Sequence, residues 1–324
     1  MSVTAVVPVW NGRDDLAKLL ASLEAQTEPA GELLVIDNGS ADGAPEMARA
    51  RGARVIAMGR NAGFAPAVNR GIRESRGQWV AVLNSDVRLA PDYFARLRSA
   101  GAPFATGKIL MESSPDRIDG VFDALCRGGC AARLGHGASD GPLFSQSRAI
   151  WSAPWTAVLF QADVFRRVGL LEEAFESYLE DVEFGMRCAL NDLSGRYVPE
   201  AVAWHRGSAA LGRWHPETVR RIARNQCFLA AKFTPHRFSW PVLVAQSLWG
   251  LLALRHGAGR AWLRGKLEGM RACGKFQLSP EAVDHHLLRE TLDANERLIA
   301  EIQGAVGFDW YWRMYFLLTH GGTK

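Results

Sequence analysis

The sequence predicts an α/β fold, a doubly wound and mainly parallel sheet, followed by a C-terminal helical extension. Two observations carry this. Through residues 3–83 short apolar runs alternate with amphipathic helical patterns, and neighbouring parallel strands need such crossovers. From about residue 236 the strand punctuation stops, and long apolar and basic stretches take over. The expected division is therefore an α/β domain over 1–235 and a helical region over 236–324.

The elements follow in order. "VTAVVPVW" reads as a buried strand, and in "DDLAKLLASLEAQ" Leu16, Leu19, Leu20 and Leu23 recur at helical spacing. "ELLVID" is a second strand and "GAPEMARARG" a short helix. "ARVIAM" is a third strand, "FAPAVNRGIRES" a helix, and "QWVAVL" a fourth strand. Polar punctuation follows these strands at Asn11-Gly12, Asp37-Asn38-Gly39-Ser40, Arg60-Asn61 and Asn84-Ser85-Asp86. In an open α/β sheet ligands bind outside the carboxyl ends of the strands, so four polar tips on one edge predict a site.

Bulk properties exclude several classes. Hydrophobic content of 48% argues for a folded globule. A net charge of +4 with no dense basic block argues against a nucleic-acid binder. Five scattered cysteines without a CxxC pair fit a reducing compartment and no disulfide framework. The opening "MSVTAVVPVWNGRDD" is a short apolar run with no basic leader, so the expected location is cytoplasmic. There is no GxGxxG, and "GMRACGKF" misses a P-loop because Phe276 stands where Ser or Thr would hold magnesium.

"ESYLEDVEF", residues 176–184, crowds four carboxylates into nine positions. A helix start accounts for most of them, since acids suit the positive end of the helix dipole. Glu183 with Arg187 makes an i,i+4 pair, and Val182, Met186 and Ala189 supply an apolar stripe. Asp181 falls off that stripe and away from Arg187, and gains nothing from either.

Six stretches together resemble one family. "VVPVWNG" (6–12), "VIDNGSADG" (35–43), "RNAGFAPAVNRGI" (60–72) and "LNSDV" (83–87) look like the N-terminal signature of family 2 glycosyltransferases of the GT-A fold. "RRVGLLEEAFESYLEDVEFGMR" (166–187) and "YVPEAVAWHRGS" (197–208) look like its acceptor-side signature. The pattern is most similar to bacterial rhamnosyltransferase-like enzymes that build surface polysaccharides.

The resemblance implies a site. Asp181 matches the catalytic base that takes the acceptor hydroxyl proton in an inverting transfer, a role worth roughly 10²- to 10⁴-fold. Glu180 would position the acceptor or its loop. Trp155 in "WSAPWTAVLF" is either a platform for a sugar face or core. Asp37 sits where the family binds the base or ribose, with Pro8, Asn11, Asn38 and Ser40 around it, although a strand-end Asp also forms an Asx-turn. Trp10 replaces the aromatic that stacks on the base. Arg60 and Asn61 fall at the rim of the donor pocket.

A diphosphate leaving group needs its developing charge neutralised, and oxygen-rich sites suit magnesium or manganese. Asp86 ends the segment where the family carries its DxD motif. Asn84 replaces the first acid, and in relatives a histidine at the place of His205 reaches the metal or diphosphate. The expected ligands are thus Asp86 and His205.

The partners implied are a dTDP- or UDP-sugar donor, with rhamnose the family-level expectation, and a saccharide or lipid-linked acceptor. Galactofuranose and N-acetylhexosamine donors, or a non-catalytic glycan-binding module, are the alternatives. A nucleotidyltransferase would need a Gly-rich basic loop after the first strand, which "PVWNGRDD" does not supply.

The C-terminal region carries six of the eleven tryptophans after residue 213, and six Arg or Lys against one acid over 255–275. It reads either as a packed or oligomerising helical subdomain, or as a surface peripheral to the inner face of the membrane.

Overall fold

The computed structural model describes residues 2–207, 212, 214–234, 239–276 and 284–320. The expected division after residue 235, and Ser208 at the end of the last signature stretch, lie outside the described residues. The chain forms two compact units, Met1–Phe122 with Gly135–Gly207, and Asp123–Leu134 with Ser208–Lys324.

The first unit begins with β1 (Val3–Val9), α1 (Arg13–Glu24), β2 (Glu32–Asp37), α2 (Ala44–Ala50), β3 (Arg54–Ala57), α3 (Phe64–Glu74) and β4 (Trp79–Leu83). β5 (Val87–Leu89), α4 (Tyr93–Ser99), β6 (Phe104–Met111) and β7 (Ser114–Gly120) follow. The hairpin β8 (Asp123–Leu125) and β9 (Ala131–Arg133) belongs to the second unit. The first unit resumes with β10 (Arg148–Ile150), β11 (Ala157–Gln161), α5 (Asp163–Val168), α6 (Glu180–Leu190) and β12 (Gly195–His205).

Each strand and helix expected in residues 3–83 is present. The sheet runs β10-β12-β6-β11-β4-β1-β2-β3, with β5 on β12 and β7 on β6. Its N-terminal half is wholly parallel: β1 pairs with β2 and β4, and β2 with β3. Val9 opposes Asp37, so the polar tips of β1 and β2 emerge side by side. β11 enters antiparallel between β4 and β6, which makes the sheet mixed. The α1 face of Leu16, Leu19, Leu20 and Leu23 is buried with β1 and β4 in one core. At about 25 cal/mol per Å², such burial is the main stabilising contribution.

The second unit holds α7 (Pro216–Phe233), α8 (Trp240–Arg255), α9 (Gly259–Ala272), α10 (His285–Val306) and α11 (Trp310–Thr319). α9 packs on α7 through Gly265 and Gly269, where a Cβ would meet the Arg220 carbonyl oxygen at 2.1 Å and the Arg224 carbonyl oxygen at 2.7 Å. The β8–β9 hairpin is tied to α10, with the Arg127 backbone N–H and Nε donating to Glu296 at 2.9 and 2.8 Å.

Candidate functional site

The strand tips in the first unit are joined by their own polar groups. The Asn11 N–H donates to Ser40 Oγ at 3.0 Å, and Asn11 Oδ1 accepts from the Ala41 N–H at 2.9 Å. Asp37 Oδ1 accepts from the Ser40 N–H at 2.8 Å, a side-chain bond to the backbone three residues on, one further than an Asx-turn. Pro8 is buried within β1, while Trp10 just beyond it is 40% exposed. Arg60 is exposed, and its backbone closes over Gly39, where a Cβ would come within 3.0 Å.

Asn38 is bonded to the neighbouring loop. Its Nδ2 donates to the Gly63 carbonyl at 2.9 Å and reaches Asn61 Oδ1 at 3.3 Å, and its Oδ1 accepts from the Ala62 N–H. The side-chain amide thus holds the Asn61–Gly63 loop in shape. Asp42, unnoticed in the sequence, does the same for the β1 tip. Its Oδ2 accepts from the Gly12 and Arg13 N–H groups at 2.6 and 2.9 Å. Burial opposes its charge, but the backbone donors outweigh this and hold the carboxyl below its usual pKa.

The 166–187 segment docks beside this loop. Asn69 of α3 donates to the Leu171 carbonyl and accepts from the Leu171 N–H. The Ala65 N–H donates to the Glu176 carbonyl at 2.8 Å, and the Phe64 N–H to Ser177 Oγ at 3.0 Å. Glu176, Tyr178 and Leu179 all have positive φ, a concentration of backbone strain typical of functional loops. α6 then starts at Glu180. Glu183 is fully buried, and Arg187 meets it at 2.8 Å while donating to the Val168 and Leu170 carbonyls. That i,i+4 pair anchors the helix, and removing one partner of such a buried pair costs about 3–5 kcal/mol.

Asp181 lies half-buried in the first turn of α6, its Oδ1 accepting from the Val182 N–H at 2.9 Å. Glu180 beside it is buried. Trp155 is core. It is 2% exposed and packs against Phe160, Phe165 and Phe184 with centroids 4.9–6.3 Å away. A platform for a sugar needs an open ring face, and these neighbours occupy it. The adjacent Thr156 carbonyl accepts from the Asn84 N–H at 2.9 Å, so the segment under α6 is stitched to the tip of β4.

At that tip His205 lies between two carboxylates. Its Nδ1 is 2.8 Å from Asp119 Oδ2, and its Nε2 is 3.2 Å from Asp86 Oδ1. Burial disfavours the charged ring, but the hydrogen bonds and charges of Asp119 and Asp86 outweigh it and push the pKa up to about 9. Among the described residues no three His, Cys, Asp or Glu side chains form a complete metal site. The pair nonetheless fits a divalent ion with ligands still to be added. A ligating histidine usually gives its second N–H to a carboxylate, as Asp119 is placed to accept. The 3.2 Å between Nε2 and Oδ1 is close to the separation of two adjacent ligands about 2.1 Å from one octahedral ion.

Asp119 had no signal in the sequence, because β7 brings it 86 positions back from His205. Residues 137–141 spell G-A-S-D-G, the spacing of a hydrolase nucleophile elbow. Ser139 is in an isolated bridge to Arg117 and not on a strand-to-helix turn, so that chemistry has no support here.

Known structures share this architecture. GalNAc-T7 with UDP, GalNAc and Mn2+ matches over 93% of this chain and 58% of its own, with a TM-score of 0.61 at 13% identity. The mannosyltransferase PcManGT of Pyrobaculum calidifontis, with GDP-Man and Mn2+, matches over 99% and 88%, with a TM-score of 0.51 at 17% identity. The fold is GT-A, the architecture of glycosyltransferases.

The sequence comparisons are more specific. The model of glycosyl transferase family 2 matches residues 4–100. N-acetylglucosaminyl-diphospho-decaprenol L-rhamnosyltransferase of Mycobacterium tuberculosis (strain H37Rv) is 29% identical over 289 residues, covering 78% of this chain and 92% of its own. Undecaprenyl-phosphate 4-deoxy-4-formamido-L-arabinose transferase of Klebsiella pneumoniae is 34% identical over 104 residues, 29% of this chain and 32% of its own. The match over residues 4–100 and the likeness to a rhamnosyltransferase over most of the chain support a family 2 glycosyltransferase, rhamnosyltransferase-like.

Proposed function

We propose that this protein transfers a sugar, with inversion, from a nucleotide-diphosphate donor to a lipid-linked saccharide. L-rhamnose is the sugar we favour, because the relative matched over most of both chains is a rhamnosyltransferase of a decaprenyl-diphosphate-linked N-acetylglucosamine. The carrier is dTDP or UDP, with dTDP the one the family resemblance implies for rhamnose. The observation that carries the reaction type is His205 beside Asp86 at the carboxyl end of β4, backed by Asp119.

In this proposal the catalytic half is the Met1–Phe122 and Gly135–Gly207 unit. Trp10 stacks on the base, Asp37 receives the base or ribose, and Arg60 covers the rim. Asn11, Asn38, Ser40 and Asn61 shape that crevice through the bonds they make with one another and with the loops. Asp86 and His205 would hold Mg²⁺ or Mn²⁺, which when bound supplies positive charge against the departing diphosphate. Asp181 takes the proton of the acceptor hydroxyl as that oxygen bonds to the anomeric carbon and the bond to the diphosphate breaks. The positive end of α6 favours the carboxylate form that a base requires.

The test is a panel of dTDP- and UDP-sugars offered to the full chain with Mn²⁺ and a prenyl-diphosphate-linked N-acetylglucosamine acceptor. Released nucleotide and the anomeric configuration of the product are measured. Rhamnose transfer from dTDP-β-L-rhamnose giving an α-linked product is expected. Turnover with retention would remove Asp181 from its role, and no transfer from any donor would favour a binding module.

A further inference from the structure

Trp10 aside, every exposed large hydrophobic side chain among the described residues lies at Trp240 or beyond. Two helices arrange theirs with order. On α8, Trp240, Leu243, Leu251 and Leu254 are 47–66% exposed. At about 100° per residue they fall within an arc of roughly 80°. On α9, Leu263, Leu267 and Met270 are 42–52% exposed and share an arc of about 60° by the same periodicity. The next arc of α9 is cationic, with Arg260, Arg264 and Arg271 exposed within about 40° of one another. Glu268 is the one acid between 255 and 275, and it is already paired with Arg220 and Arg264.

The two apolar stripes meet at a cavity. A pocket of about 290 Å³ is lined by Leu243 and Val242 from α8 and by Trp262, Leu263, Lys266 and Met270 from α9. No carboxylate lines it. The Lys266 ammonium is buried there against two amide oxygens, of Gln226 at 2.8 Å and Gln246 at 2.6 Å, so it is not one of the outward-facing cations that the sequence pattern implied. The Trp262 indole N–H is buried with no hydrogen-bond partner. A buried donor without an acceptor is costly, and Trp262 is one of the residues that line the cavity.

We propose that the α8–α9 face is a docking surface for an anionic lipid bilayer, with the cavity taking an oxygen-bearing part of one lipid. Apolar stripes bordered by arginines match the two layers of such a surface: Leu and Met enter the acyl boundary, and the guanidinium groups remain with the headgroups. An acidic partner protein would match the arginines but not the apolar arcs. A second copy of the chain would match the apolar arcs but would bring arginine against arginine. No described helix is long and apolar enough to cross a membrane, so attachment would be peripheral. The proposal stands on the second unit alone and does not depend on the transfer reaction.

Flotation of the full chain on vesicles tests it, with 30% phosphatidylglycerol in phosphatidylcholine against pure phosphatidylcholine, at low and high salt. Partition should be strong only with phosphatidylglycerol at low salt. Each cation near an anionic surface adds about fivefold, so Arg260→Gln with Arg271→Gln should lower partition about thirtyfold. Leu254→Ser with Leu267→Ser, both exposed and safe for folding, should lower it about tenfold or more. Trp262→Phe should lower it severalfold while leaving the salt dependence unchanged; wild-type partition for that variant would remove the cavity from the site. Absence of flotation at low salt, or equal flotation on both vesicles at low salt, overturns the proposal. So does a dimer in light scattering that Leu254→Glu dissociates, which would make the face a contact between copies.

Discussion

Gly63 and Glu176 touch backbone to backbone: a Cβ on Gly63 would stand 2.7 Å from the Glu176 carbonyl oxygen. Gly63 also has φ +98°, which other residues adopt only under strain. Through this contact the loop that Asn38 holds beside β2 bears on the strained segment that precedes Asp181. Gly63→Ala should therefore destabilise the protein by about 2–4 kcal/mol. Urea unfolding measures this. A loss under 1 kcal/mol would mean that the two loops move apart freely.

Asp181→Asn should cut turnover at least a hundredfold while nucleotide binding persists, because the amide cannot take a proton. Single-turnover kinetics beside calorimetric nucleotide binding separate the two effects. Near-normal turnover would exclude Asp181 as the base.

Asp119→Asn should weaken Mn²⁺-dependent nucleotide binding by about 10- to 100-fold, the usual effect of losing a carboxylate behind a ligating histidine. Asp86→Ala should weaken it more, and chelation should abolish transfer. Full activity in chelator would show that protein groups alone neutralise the diphosphate.

The histidine also predicts a pH dependence. Its pKa is raised in the folded protein from 6.5 to about 9. The added stability is therefore complete below about pH 6.5 and is lost as pH rises through 9, by about 3 kcal/mol in metal-free protein. A metal ligand must be neutral at Nε2, so Mn²⁺ affinity should rise over the same range. Urea midpoints of wild type and His205→Gln at pH 6 and 9, with chelator, check the first. A pH response identical in the two proteins would contradict it.

Trp155→Ala should cost about 3–5 kcal/mol, as expected for a tryptophan enclosed by Phe160, Phe165 and Phe184. A variant with wild-type stability but impaired acceptor binding would return Trp155 to the platform role.

The sequence by itself determined the alternation of strands and helices through residue 83, because hydrophobic period and turn residues are local signals. It also determined the polar tips and the Glu183–Arg187 pair, which needs only helical spacing. Tertiary structure decided what contact across the chain decides. Asp119 reaches His205 because β7 folds back on β6. Asn38 turns inward to the Asn61–Gly63 loop, since a buried amide must satisfy its own donors and acceptor. Trp155 is enclosed because Phe184 arrives from α6. Lys266 is buried where composition counted it among surface cations, because the Gly265 and Gly269 contacts turn that side of α9 inward. Spacing along a chain specifies which residues share a face, and packing alone specifies what that face meets.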